Sequence, residues 1–405
     1  VAAWLGLAVT ALIVVVLVRA LTLTVPDVVV SASSPRTVRL PGSAPTPTWP
    51  ESGQAALVVE GIGSLGAVGG TTPVPIASLT KVMTAYLTLR KYPLAGQANG
   101  FELTVTRADV AAEHSDAGED QSVVPVQAGE RLSERQLLEA LLIPSGDNIA
   151  RMLAAYVAGS DARFLVEMNR AARRLGMTHT TYTDPSGYEP STVSVASDQL
   201  RIFKRAMASP VFRTIVAEPS ATLPVAGTVQ NYDPLIADGY AGKTGSDSEA
   251  EGCLAFFKYV TVAGRRLTVV GVVLGQGVGS TTSIILGAAG DAAAAMVDSV
   301  TPHIRLSTVL PAHSTVMVAT TTDGRRVAAV TSSPLTVIGW GGTHERLSVR
   351  PATLSSAGLS AGEPVGRVAL AGGLPTESTG SSETVVRASR ALSKPGFGWR
   401  LEHVL

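Results

Sequence analysis

The run from Val1 to Val18 is apolar except for Gly6 and Thr10, and Arg19 closes it. At about 1.5 Å per residue it just spans a hydrocarbon core, which predicts a transmembrane helix over residues 1–23. The run exceeds the apolar part of a typical signal peptide, and no small-x-small cleavage pattern follows in Leu21 to Val30. An uncleaved anchor is therefore favoured over a removed leader. Apolar periodicity then stops. Ser31 to Gly53 is rich in Ser, Pro and Thr, as in Ser34-Pro35 and Pro45-Thr46-Pro47-Thr48, so residues 24–53 read as a linker.

From Ala55 the pattern resumes with an apolar segment to Val59, a glycine-rich turn and a second short segment ending at Gly69-Gly70, an opening hairpin. After Pro75, Leu79, Val82, Met83, Tyr86 and Leu87 recur at helical spacing until Pro93. Ser133-x-x-Gln136 predicts a capping box before Leu137, Leu138, Leu141 and Leu142, and that helix stops near Pro144. A second helix follows with Ile149, Met152, Leu153, Tyr156 and Val157 inside and Gly159 at its end. A third stretch, Ser160 to Gly176, buries Phe164, Leu165, Met168, Ala172 and Leu175. The acidic patch Glu113 to Asp120 reads as a solvated loop.

Past Gly239 the period becomes that of strands, with a hairpin from Cys253 to Leu274 turning at Gly264-Arg265-Arg266 and Lys243-Thr244-Gly245 opening the sheet segment. Ile284 to Val300 reads as a closing helix. Beyond it, short Val/Thr-rich segments alternate with turns such as Asp323-Gly324, Gly341-Gly342 and Gly372-Gly373. The expected organisation is an anchor (1–23), a linker (24–53), a domain over 54–304 and a C-terminal β domain over 305–405.

Composition narrows the chemistry. The 405 residues carry a formal net charge of +0, and no basic run with interleaved aromatics occurs, so no nucleic-acid partner is expected. Cys253 is the only cysteine, and the six histidines lack ligand-like spacing. An internal disulfide is excluded, and neither a metal nor a cofactor is expected. Cys253 itself sits in an apolar strand and reads as a buried structural thiol.

Lysine is scarce: Lys81, Lys91, Lys204, Lys243, Lys258 and Lys394 are the whole set. Two of them fall in Ser78-Leu79-Thr80-Lys81 and Lys243-Thr244-Gly245. A serine three residues before a lysine puts hydroxyl and amine on one side of a helix, where the amine can take the hydroxyl's proton. Arginine cannot lose its proton at workable pH, whereas a partly buried lysine can act as a base. Alone, either segment is an ordinary helix start or strand edge. Together, with Ser145 between them in an interhelical loop, they occur in the order of a known constellation.

On Ser78-Leu79-Thr80-Lys81, Ser145-Gly146-Asp147-Asn148, Lys243-Thr244-Gly245 and the segment from Met168-Asn169 through Asp184-Pro185-Ser186-Gly187, the chain resembles the serine D-alanyl-D-alanine carboxypeptidases of the penicillin-binding protein superfamily. The resemblance covers about Glu51 to Pro302. Less specifically, the segment Leu359 to Gly366 is similar to the small C-terminal sheet domain of such enzymes. The resemblance implies an α/β sandwich, in which helices cover a five-stranded antiparallel sheet. It also implies a peptidoglycan stem-peptide substrate ending in D-Ala-D-Ala and covalent capture of β-lactam antibiotics. The fold then sits outside a bacterial cell membrane, tethered as a single-pass protein by the N-terminal helix in the bilayer. Relatives that hold the membrane through a C-terminal amphipathic helix differ, because the ending Gly398 to Leu405 is too short to serve alike.

Residue by residue, the resemblance implies that Ser78 attacks the carbonyl between the terminal D-alanines, with Lys81 as proton acceptor, and that Ser145 relays a proton to the leaving amine. Lys243 and Thr244 hold the terminal carboxylate, Gly245 lets the strand be approached closely, and the backbone N–H groups of Ser78 and Ser246 form the oxyanion hole. The second motif departs from the usual Ser-x-Asn, with Asp147 in the third place and Asn148 one further on. If Asp147 faces the site, its charge favours ammonium at Lys81 and repels a substrate carbonyl. If the loop bulges instead, Asn148 reaches inward and Asp147 caps the next helix. Replacing Asn148 by Ala is then expected to reduce acylation more than replacing Asp147. Alternative readings are a β-lactamase-like hydrolase, against which stands the lack of a Glu-x-x-Leu-Asn segment between Ser145 and Lys243, and a catalytically impaired wall-binding homologue.

Overall fold

The structure is a computed structural model that describes residues 2–33, 37–277, 281–371 and 382–404. The Ser34-Pro35 pair and the Gly372-Gly373 turn lie outside the described residues. The chain forms two compact units, one of Val1–Ala44, Val262–Arg265 and His303–Leu405, the other of Pro45–Thr261 and Arg266–Pro302. In chain order the helices are α1 (Ala2–Thr22), α2 (Lys81–Lys91), α3 (Arg107–Gly118), α4 (Glu134–Leu142) and α5 (Asp147–Ala158). They continue with α6 (Asp161–Arg174), α7 (Ala196–Ala206), α8 (Pro210–Ile215), α9 (Thr282–Val300) and α10 (Phe397–Glu402).

The second unit is the expected mixed α/β fold. Its five-stranded sheet runs in the order Tyr240–Asp247, Glu251–Val262, Arg265–Gln276, Gln54–Val59, Gly63–Val68. Lys243 pairs with Ala255 and Gly245 with Cys253 in antiparallel register, so the Lys-Thr-Gly segment lies inside the first strand, along the sheet edge. One face of this strand receives α9 and the turn preceding α2 packs against it. Helix α2 is the hub of the helical layer, packing on α4, α5, α6 and α7. Leu79, Met83, Leu137, Leu141, Ile149, Leu153, Phe164 and Phe203 lie in this continuous apolar core. The capping box of α4 forms as expected, Ser133 accepting from the Gln136 N–H and Gln136 from the Ser133 N–H. Gly159 ends α5 at φ 81, a left-handed conformation that suits glycine. Cys253 is fully buried, and burial pushes its thiol up to about 12.

Two expectations need correction. The acidic stretch from Glu113 is not a solvated loop, because α3 runs to Gly118. A Thr106/Asp109 capping box starts this helix, and Glu113 and Asp116 are buried. Asp116 is paired with Arg151 at 2.7 Å, so the apolar stripe that normally betrays a helix is replaced by an ion pair. Likewise residues 24–53 are not a free linker. Val29–Ala32 pairs with Thr315–Thr320, and Thr37–Arg39 with His344–Pro351. These two strands close the edges of a seven-stranded sheet in the first unit. Val28 and Leu40 supply the buried apolar contacts, short signals lost among Ser, Pro and Thr. In the same unit α10 packs against α1.

Candidate active site

Ser78 lies in a single 3₁₀ turn, Ala77–Thr80, immediately before α2. Ala77 has φ 44, a region unfavourable to a side chain bearing Cβ, so the surroundings hold the chain there. Lys81 opens α2 and is fully buried. Its Nζ lies 2.6 Å from Ser78 Oγ, 3.0 Å from the Ser186 carbonyl oxygen and 2.5 Å from Asp147 Oδ1. The latter two partners only accept. The Ser186 carbonyl takes a hydrogen bond from Lys81 and the Asp147 carboxylate pairs with the amine by charge, so both hold it beside the serine hydroxyl.

The loop of the second motif settles which residue faces inward. Ser145 takes φ 66, and its Oγ is buried without a hydrogen-bond partner among the described residues. The next residues zip onto the segment around Ser122. The Asp147 N–H donates to the Ser122 carbonyl at 2.7 Å, and the Ser122 N–H donates to Asp147 Oδ2 at 3.0 Å. Asn148 spends both ends of its amide on Val124, accepting from its N–H at 3.0 Å and donating to its carbonyl at 2.9 Å. Asn148 is thus committed to the loop, away from Lys81, and Asp147 faces the lysine. Gly146, not Asp147, is the N-cap of α5. The structure thus has Asp147 rather than Asn148 against Lys81, because Val124 claims the Asn148 amide.

Opposite stands the Lys243 strand. Lys243 and Thr244 are buried, Ser78 and Ser246 half-buried. A Cβ on Gly245 would lie 2.9 Å from the Ile76 carbonyl oxygen and 3.2 Å from the Ser78 nitrogen, so glycine is required where the strand meets the nucleophile's own turn. The same position on Gly242 would meet the Ala255 carbonyl at 2.2 Å, which is crowding within the sheet. Lys243 Nζ donates to the Thr244 carbonyl at 2.8 Å. Burial, and next the charge on Lys81, push Lys243 well below the ordinary lysine range, while Asp147 and Asp233 oppose the shift. The two lysines and Asp147 therefore act on one another electrostatically.

Sequence reasoning gave no role to the segment that supplies the Ser186 carbonyl. Asp184 Oδ2 accepts from the N–H groups of Ser186 (3.0 Å), Gly187 (2.6 Å) and Tyr188 (3.0 Å) and from Ser186 Oγ (2.6 Å), and Oδ1 accepts from Thr192 Oγ1 (2.7 Å). This clasp aims the Pro185 carbonyl at Thr84 Oγ1, at 2.7 Å, and the Ser186 carbonyl at Lys81. Gly187 has φ 89, and a Cβ there would fall 1.9 Å from the Ala77 carbonyl oxygen. The Asp-Pro-x-Gly turn signature was the available signal, since Asp collects turn N–H groups and Gly accepts positive φ.

The fold defines a class, and comparison with known proteins agrees with it. Residues 64–277 match the model of the peptidase S11 family of D-alanyl-D-alanine carboxypeptidases, and the chain belongs to that family. It is 35% identical over 204 residues to the D-alanyl-D-alanine carboxypeptidase DacB2 of Mycobacterium tuberculosis, covering 48% of this chain and 65% of that one. It is 32% identical over 218 residues to the D-alanyl-D-alanine carboxypeptidase of Streptomyces sp. K15, covering 49% and 71%. The crystal structure of the Streptomyces K15 DD-transpeptidase superposes with a TM-score of 0.53 at 26% identity, over 64% of this chain and 98% of that one.

Proposed function

We propose that the chain is a membrane-anchored serine D,D-carboxypeptidase that removes the terminal D-alanine from peptidoglycan stem peptides outside the cell. The observation that carries this reading is the 2.6 Å contact between Lys81 Nζ and Ser78 Oγ, with the lysine also hydrogen-bonded to the Ser186 carbonyl and ion-paired with Asp147.

Ser78 Oγ attacks the carbonyl carbon of the D-Ala-D-Ala bond as its proton passes to a neutral Lys81. The negative oxygen is received by the N–H groups of Ser78 and Ser246, a contact whose loss typically costs about 2.7–4 kcal/mol in barrier height. The C–N bond then breaks, the departing D-alanine amine takes a proton through Ser145, and Ser78 is left as an ester. Water attacks this ester, giving its proton to a Lys81 that has already passed the first one on through Ser145; the bond between Ser78 Oγ and the acyl carbon breaks, Oγ takes the proton back from Lys81, and the shortened peptide leaves. Lys243 and Thr244 hold the terminal carboxylate, as an enclosed cation beside a hydroxyl can. A β-lactam follows the same first steps and remains on Ser78. The apolar α1, whose side chains from Trp4 to Leu21 are largely exposed, supports a single bilayer crossing, and the rest of the chain then lies on the outer side, where the substrate is.

The test is labelling of the full chain in detergent with a fluorescent penicillin, beside Ser78→Ala. A persistent label that vanishes in the variant is expected. Rapid drug turnover would assign a β-lactamase. Absence of label would assign an impaired wall-binding homologue, the reading that the Asp147 charge beside Lys81 favours.

A further inference from the structure

One cavity lies within the first unit. It measures about 510 Å³ and is lined by Val25, by Ser356 to Ser360, and by Glu363, Leu392, Ser393, Lys394 and Arg400. Its polar chemistry suits an anion. Neither Lys394 nor Arg400 has a carboxylate partner among the described residues, and Ser356, Ser360 and Ser393 share the lining, the Ser356 hydroxyl donating to the Gly358 carbonyl at 2.7 Å. The single carboxylate, Glu363, is already engaged, its Oε2 accepting from the Ser360 N–H at 2.7 Å.

The cavity's position narrows the anion further. Val25 follows the end of α1 at Thr22 by three residues, and α10, which carries Arg400, packs on α1. Beside Arg400 stand Trp399, its ring stacked on His403, and Phe397, 46% exposed. Aromatic rings with neighbouring cations at the end of an apolar helix mark the depth of lipid headgroups.

We propose that this cavity binds the headgroup of an anionic glycerophospholipid, its phosphate on Lys394 and Arg400 and its polar substituent among the serines. The choice of lipid over free phosphate rests on reading α1 as a membrane span. An anionic headgroup is favoured over a zwitterionic one, because the lining carries two cations against the one carboxylate of Glu363.

The experiment is thermal unfolding of the full chain in neutral detergent, titrated separately with dihexanoylphosphatidylglycerol, dihexanoylphosphatidylcholine and inorganic phosphate. The phosphatidylglycerol arm should raise the midpoint by roughly 2–4 °C. The shift should disappear in Lys394→Ala/Arg400→Ala and persist in Ser78→Ala. No shift, an equal shift with phosphatidylcholine, or survival in the double variant would each overturn the site. An equal shift with phosphate would replace the lipid by a free phosphate ligand. Penicillin labelling of the double variant shows that the other unit is folded, and Lys394→Gln serves if the double variant fails to fold. Loss of labelling in every form would remove the peptidase reading and leave the lipid result standing.

Discussion

Lys81 and Lys243 are both enclosed within one electrostatic cluster, yet the regions that hold them treat them differently. Lys81, at the head of a central helix, meets three oxygens, one of them the Asp147 carboxylate at 2.5 Å and another the Ser78 hydroxyl at 2.6 Å. Lys243, inside an edge strand, donates only to the neighbouring Thr244 carbonyl among the described hydrogen bonds. Its carboxylates act from further off, too weakly to offset burial. The first lysine is placed to exchange a proton with a nucleophile. The second is an incompletely satisfied cation whose natural complement is a carboxylate from outside.

The sharpest way to break this contrast is Lys81→Ala, which should slow penicillin acylation by about 10²–10⁴-fold, the range of a lost general base, while leaving reversible binding of a carboxylate-bearing substrate nearly unchanged. Comparable loss of both would make the two lysines equivalent. Lys243→Ala should show the reverse split, a fall of roughly tenfold to hundredfold in apparent affinity, as expected for one charge-assisted hydrogen bond, with a smaller change in the maximal acylation rate.

Titration should sharpen the difference. Because Lys243 sits below the ordinary lysine range, it is charged at low pH and loses its proton earlier than an exposed lysine as pH rises. Affinity for the substrate carboxylate should therefore fall on the alkaline side, starting below pH 10.5, the ordinary lysine value. In Lys243→Arg that alkaline loss should be absent whatever the overall affinity, since arginine keeps its charge. An alkaline limb unchanged in the arginine variant would point to another group. The smallest effect is expected from Asp147→Asn, which keeps the size of the side chain but removes the carboxylate 2.5 Å from Lys81 Nζ. Acylation in stopped-flow labelling should change by less than the roughly 10²-fold of a lost general base, and a fall as large as that of Lys81→Ala would make the carboxylate necessary.

Much of this arrangement was legible along the chain because it depends on local rules. Ser78 and Lys81 meet through their three-residue spacing across the 3₁₀ turn that leads into α2, Ser133 and Gln136 cap α4 through their own backbone, and Gly159 stops α5 by its φ. The strands at Val29–Ala32 and Thr37–Arg39 were not legible, since their partners are about 290 and 310 residues away along the sequence. Helix α3 was hidden for a related reason, its buried Asp116 being acceptable only beside Arg151 of α5.

The sequence by itself determined which chemical groups are available and in what order, because a hydroxyl, two scarce lysines and the glycines beside them are properties of the residues. Only the tertiary structure decided how Asp147 and Asn148 divide their work and which carbonyl completes the shell of Lys81. Those choices depend on backbone groups at Ser122, Val124 and Ser186 that must find hydrogen-bond partners once buried. Such demands arise only when distant segments fold against one another.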